Sequence, residues 1–278
     1  MANGLVMLLR TIHLWFYLSA VISDSSFNFQ IGARVKDNVQ AFLLRVTIAG
    51  KTPIRLVDDR FVNVTTLMST AFMSGRTLFY VLEQMYINEI TLFQFGFENK
   101  FYYMLQNKNS LEYSFQVSFL PSQQFMIGVQ YPTSKLEGAL KYYICDPYGM
   151  PLRFLSNDTF DCTKRPWYKT AKSALSSHWA PPFLQVPFYI PVISFVTPII
   201  NYTFNGTRLG FVGATAANVQ LSQISDFLRS SYLGTDINVF IVEKASMNLI
   251  ANSLNATASL RHSDGTVVSD LVPTIYIY

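Results

Sequence analysis

Asp161-Cys162-Thr163-Lys164-Arg165-Pro166-Trp167-Tyr168-Lys169-Thr170-Ala171 sets a guanidinium, an indole and a phenol within four residues in an otherwise apolar chain. Arg165 and Tyr168 carry donors that can converge on an anionic or polar ligand. Trp167 adds a flat apolar wall or a cation–π face. Pro166 suits an early helical position, where no backbone donor is needed, so Arg165 opens a short helix. The same residues also fit a surface arginine beside two core aromatics, since aromatic side chains serve packing more often than sites.

Working outward, the motif Arg-x-Trp-Tyr-x-x-Ala is followed by His178-Trp179-Ala180-Pro181-Pro182-Phe183 and then by Val192-Ile193-Ser194-Phe195-Val196-Thr197-Pro198-Ile199. Gly210-Phe211-Val212-Gly213-Ala214-Thr215 comes last. In order and approximate spacing, over about residues 75–258, these blocks resemble the double Cache family of extracellular sensors. The resemblance implies an α+β fold: a long N-terminal helix, a PAS-like antiparallel-sheet sensor module, and the start of a second such module. It also implies a membrane receptor that takes a small-molecule ligand, with the long helix as a homodimer contact.

The family's ligand set carries over position by position. Arg165, Trp167 and Tyr168 match, and the resemblance gives Arg165 the ligand's carboxylate. Phe160 stands where the amino-acid-binding branch has a tyrosine five residues before the arginine. Phe183 stands in place of a second tyrosine, and Thr215 in place of an aspartate that holds the ammonium group. All three departures lose a polar or charged group. A threonine cannot neutralise a buried ammonium, whose desolvation is costly without a partner. A carboxylate, a less polar small molecule or no ligand at all therefore stay open. So does a non-catalytic interaction or structural ectodomain, or an accessory domain of a membrane transport protein.

Composition sets the bounds. The chain has 278 residues, room for one large domain or two modest ones. Half are hydrophobic, so a sizeable core can be buried, and only 14% are charged. The net charge of +4 forms no basic run, which argues against nucleic-acid binding. Three scattered histidines make no metal motif, and no cofactor signature is present. The chain has no Gly-x-Ser-x-Gly, HExxH, P-loop or dinucleotide glycine pattern, and His178 has no evident nucleophile partner, so an enzyme is not expected.

Along the chain, residues 1–23 carry one arginine and then an uncharged run from Thr11 to Ser23. Its length fits a signal-peptide core or, extended through Arg10, a membrane anchor, with a buried helix as the other reading. Either membrane reading puts residues 24–278 outside the cytosol, at the plasma membrane or secreted. Residues 24–89 read as a helical lead-in, with Val35, Val39, Phe42, Leu43 and Val46 at helical spacing. Gly50-Lys51-Thr52-Pro53 is expected to break it before a second helix from about Val57 to Tyr86. Residues 90–218 are expected to form the membrane-distal module. Its strands are Ile90–Phe97, Phe101–Leu105, Leu111–Phe119, Phe125–Tyr131, Lys141–Cys145, Met150–Leu155, Val192–Ile200 and Gly210–Thr215. Residues 219–278 are expected to hold a linker helix and part of a membrane-proximal module, opening with strands at Asn238–Glu243 and Leu249–Asn252.

Two further features bear on the compartment. In an oxidising environment Cys145 and Cys162 could close a loop of about 18 residues, worth roughly 3 kcal/mol. The alternative is two buried free thiols. Sequons occur at Asn63, Asn157, Asn201, Asn205 and Asn255 and, with the leader, favour a eukaryotic secretory route.

Overall fold

The computed structural model describes residues 16–20, 25–58, 90–107, 125–131, 139–146, 151–185, 190–202, 208–231, 239–243 and 249–253. In chain order the elements are β1 (Phe16–Ala20), α1 (Ser25–Asp58), β2 (Leu92–Phe97), β3 (Tyr102–Asn107), β4 (Phe125–Gln130), β5 (Ala139–Cys145) and β6 (Pro151–Thr159). A 3-10 turn (Cys162–Lys164) leads into α2 (Pro166–Ala174). Then come β7 (His178–Gln185), β8 (Ile190–Tyr202), β9 (Arg208–Gln220), α3 (Leu221–Ser231), β10 (Val239–Glu243) and β11 (Leu249–Asn252). The fold is α+β. The chain falls into two compact units, one of residues 1–45, 181–193 and 219–278, the other of residues 46–180 and 194–218. The second expected helix, the strand at Leu111–Phe119 and the sequons Asn63, Asn205 and Asn255 lie outside the described residues.

In the first unit β1, β10 and β11 form a three-stranded sheet in that order, with both pairings antiparallel. Phe16–Ala20 lies within the run expected to be a leader or anchor, yet it is a strand, paired from Phe16↔Glu243 to Ala20↔Val239. Aromatic-rich FYLSA has strong strand preference, and β10 offers it a pairing edge. The strands expected at Asn238–Glu243 and Leu249–Asn252 are present as β10 and β11. Leu221, Ile224, Ser225 and Leu228 form the buried stripe of α3. The Ser225 hydroxyl accepts from the backbone N–H of Asn252 at 3.3 Å, tying α3 to β11. The ring of Phe42 stacks on that of Phe227 at 5.0 Å.

The second unit holds most of an eight-stranded sheet in the order β6-β5-β4-β3-β2-β9-β8-β7. Strand β2 sits near the middle, antiparallel to β3 and β9, and β3–β4, β4–β5 and β5–β6 continue the antiparallel ladder. Side chains alternate between the two faces of such a sheet. Phe93 and Phe95 pair across β2, β3 and β9 with Leu105, Tyr103, Ala217 and Thr215 on one face. Gln94 and Gly96 pair with Met104, Tyr102, Ala216 and Ala214 on the other.

Helix α1 belongs with the phenylalanine face. A Cβ on Gly50 would lie 2.8 Å from the Phe195 ring and 3.5 Å from Ala217. Gly50 is therefore a close-approach residue rather than the expected break, and α1 runs on through Pro53 to Asp58. Beside it, the Thr52 hydroxyl donates to the carbonyl of Ile48 at 2.9 Å. The opposite face carries α2. A Cβ on Gly96 would lie 2.9 Å from Trp167 and 3.0 Å from Cys162.

This layering corrects the expected disulfide. Cys145 is two residues from Tyr143, which pairs with Ile127, the partner of Leu105, and this register places it on the phenylalanine face. Cys162 packs on Gly96 on the other face, its Sγ 3.8 Å from the carbonyl of Phe97. Both are buried free thiols, and the sheet stands between them. Among the described residues no helix is long and apolar enough to cross a membrane.

Candidate functional site

Residues 160–168 are held over the sheet by local hydrogen bonds. Asp161 accepts from the backbone N–H of Thr163 at 3.0 Å and from its hydroxyl at 2.6 Å, and Lys100 lies 3.5 Å away. Burial pushes the Asp161 carboxyl up, but Thr163 and Lys100 outweigh it and hold it below its ordinary value. Arg165 caps α2, with its backbone extended (φ −80°, ψ 148°) and Pro166 at the first helical positions.

The guanidinium of Arg165 sits over the Phe160 ring, 4.5 Å from its centroid. The Phe160 ring is itself 4.5 Å from that of Tyr102. Cation, ring and ring thus stack onto the α2 face of the sheet. The charge of Arg165 reaches the phenols of Tyr102 and Tyr142, which burial pushes well above their ordinary range. Arg165 Nε is buried without a hydrogen-bond partner among the described residues.

Trp167 and Tyr168 have other work. Trp167 is buried over Gly96. Tyr168 donates its hydroxyl to Glu98 Oε1 at 2.7 Å, and Lys172 Nζ donates to both oxygens of the same carboxylate at 3.0 Å. Burial raises the Glu98 carboxyl, yet these hydrogen bonds and the Lys172 charge leave it below its ordinary value. Burial and then Glu98 push the Tyr168 phenol far up. This phenol stays protonated and already has its acceptor.

Of the remaining expected site residues, Phe160 is brought to Arg165. Thr215 is not: it pairs with Phe95, so its side chain lies on the α1 face. The β9 residues on the Arg165 side are its neighbours Ala214 and Ala216, followed by Asn218. Phe183 is half-buried on β7, in the stretch that goes with the first unit.

The sequence did not point to the polar floor beneath Arg165. Tyr102 donates to Gln94 Oε1 at 2.9 Å, and Gln94 Nε2 donates to Asn218 Oδ1 at 3.2 Å. Asn218 Oδ1 also accepts from the Ser194 hydroxyl at 2.6 Å. This chain of bonds crosses β3, β2, β9 and β8, and all four residues are buried. Gln130 stands opposite Tyr102 on β4, and Tyr142 opposite Gly128 on β5. Gln130 Oε1 and the Tyr142 hydroxyl are buried without a hydrogen-bond partner among the described residues. This face is neutral and rich in hydrogen-bonding groups, with the Arg165 cation near it. No group of acidic, histidine or cysteine side chains that could hold a metal occurs among the described residues.

No protein-family model matches the chain. No curated protein matches it either. Solved structures similar to it include ligand-binding domains of bacterial chemoreceptors. One is that of the Pseudomonas aeruginosa amino acid chemoreceptor PctB in complex with L-arginine. It is 14% identical, with 71% of this chain and 57% of that chain covered, at a TM-score of 0.39. The Pseudomonas fluorescens chemoreceptor CtaA domain with L-valine is 16% identical over 74% of this chain and 64% of that one, at 0.38. The Campylobacter jejuni Tlp3 domain with 4-methylisoleucine is 10% identical over 80% and 64%, at 0.42. The chain therefore spans roughly three-fifths of the length of these structures.

Proposed function

We propose that this chain is a non-catalytic, small-molecule-sensing domain of a membrane receptor, facing the outside of the cytosol, and that Arg165 takes a carboxylate of the ligand. One observation carries the reading: the half-buried Arg165 guanidinium lies over the Phe160 ring on the α2 face, with its Nε buried, and makes no ion pair among the described residues. A guanidinium with a buried, unpaired Nε and no acid beside it is suited to an anionic group, which it can meet with two parallel hydrogen bonds.

The test is a thermal-shift screen of small carboxylates and amines on the purified chain. A binding carboxylate at roughly ten times its Kd should raise Tm by about 3–6 °C. Arg165→Ala should abolish that rise while keeping the far-ultraviolet spectrum. Equal shifts in both proteins would place binding elsewhere. A second reading, an interaction ectodomain in which the motif only packs, is favoured by the engagement of Trp167 with Gly96 and of Tyr168 with Glu98. It predicts that no small molecule shifts either protein.

The outward topology has its own test. Asn157 is exposed on β6, at the edge of the sheet. Peptide mapping after secretory expression in a eukaryotic cell should find it glycosylated. An unmodified Asn157 in material retained in the cytosol would count against an extracellular domain.

A further inference from the structure

The polar floor narrows the ligand class, given that Arg165 is the carboxylate site. On the α2 face every side chain beside Tyr102 and Tyr142 in the central strands is neutral. The acid that bears on Tyr142, Asp158, is exposed on the edge strand. Asp161 is already engaged by Thr163 and Lys100. Asp158 is opposite Leu140 and so shares this face, diagonal to Tyr142, but a ligand ammonium lying over the central strands and away from it would lose its water without gaining a counter-charge. The floor offers instead an acceptor, Gln130 Oε1, and a hydroxyl that can donate or accept, on Tyr142. Gln130 is 5% exposed and Tyr142 2%. Tyr142 faces Gly128, two residues before Gln130 on the same side of β4, so the two are diagonal neighbours.

We infer that Gln130 and Tyr142 read a neutral hydroxyl carried by the ligand, and that the ligand class is hydroxy acids rather than ammonium-bearing amino acids. The carboxylate sits at Arg165, and the ligand hydroxyl donates to Gln130 Oε1 and accepts from Tyr142. A site built to hydrogen-bond a hydroxyl discriminates against the analogue that lacks it, because its own buried groups are then left unpaired.

Isothermal titration with one four-carbon skeleton tests this: butyrate, its 2-, 3- and 4-hydroxy derivatives and its 2-, 3- and 4-amino derivatives. At least one hydroxybutyrate should bind about tenfold tighter than butyrate and than its amino counterpart. Tyr142→Phe and Gln130→Met should each bring that hydroxybutyrate to the level of butyrate. Because the removed groups lack partners, free-protein Tm should hold or rise in both variants. If an aminobutyrate binds best, or the variants leave hydroxybutyrate affinity unchanged, the hydroxyl reader is wrong. Butyrate binding lost in Arg165→Ala would still uphold the carboxylate site. Absence of binding by all seven acids would overturn both.

Discussion

Arg165 is the residue on which the site turns, and its placement depends on what lies beneath its neighbours. Trp167 can lie flat on the sheet only because position 96 has no side chain. Gly96→Ala would put a carbon 2.9 Å from the indole and 3.0 Å from both Cβ and Sγ of Cys162. Neither group has room to retreat in a packed layer, so the variant should lose about 1–3 kcal/mol by urea denaturation, with α2 and Arg165 displaced. An unchanged midpoint would mean that the 3-10 turn is loosely held. The arginine itself was legible from its motif, but the groups it faces were not. In Leu92-Phe93-Gln94-Phe95-Gly96-Phe97 the alternation is plain, and a period of two with one polar set reads as a sheet with a wet side. Here the polar set is buried, because α2 and Phe160 cover it, and no local pattern announces a cover contributed some seventy residues away. Thr215 shows the sharpest limit. A one-residue difference in register moves a side chain through the sheet, and only the pairing with Phe95 decides between Thr215 and Ala214 or Ala216.

At the level of elements, the strands built from aromatic and β-branched runs were legible: β2, β3, β4, β5, β8 and β10 all fall where alternation puts them. Punctuation was less reliable. Gly50 and Pro53 look like a helix stop, yet α1 passes through both. Glycine here answers to Phe195 across the interface with the sheet, and that packing outweighs the local propensity against helix. Pro181 and Pro182 hide β7 in the same way. Proline cannot donate to a ladder, so a strand containing two of them belongs at an edge, and β7 is the last strand of its sheet. The turn from β2 to β3 behaves as its sequence asks. Lys100 takes a positive φ of 67°, and Asn99 Oδ1 accepts from the backbone N–H of Phe101 at 3.0 Å. The same turn supplies Glu98, which binds Tyr168 and Lys172 and so clamps α2 to the end of β2. That clamp gives the phenol of the motif its acceptor.

Across the whole molecule, burial has been extended to many groups that hold protons, and this fixes how the protein responds to alkali. Tyr102, Tyr103 and Tyr142 are pushed above their ordinary value of 10.0, first by burial and then by neighbouring ionisable groups. Burial likewise raises the thiol of Cys145, and it pushes Cys162 from an ordinary 9.0 up to about 12. The cysteines being on opposite sheet faces, neither thiol is protected by a bridge. A group whose folded pKa is raised keeps its proton while the unfolded chain releases it, so stability is full below the unfolded value and falls as pH rises past it. The two thiols should therefore lower stability by roughly 2.7 kcal/mol per pH unit above about pH 9, and the phenols should steepen the loss above about pH 10. Set against a stability of about 5–15 kcal/mol, this predicts cooperative alkaline unfolding between about pH 10 and about pH 12. Circular-dichroism melts should show a Tm that is level to about pH 8.5 and then falls by about 5–11 °C per unit. The double variant Cys145→Ala, Cys162→Ala should delay the onset by about one pH unit, to where the phenols begin to titrate. A Tm that stays level past about pH 10.5, with phenolate absorbance appearing in folded protein, would show that these side chains ionise in place and that water already reaches the polar floor.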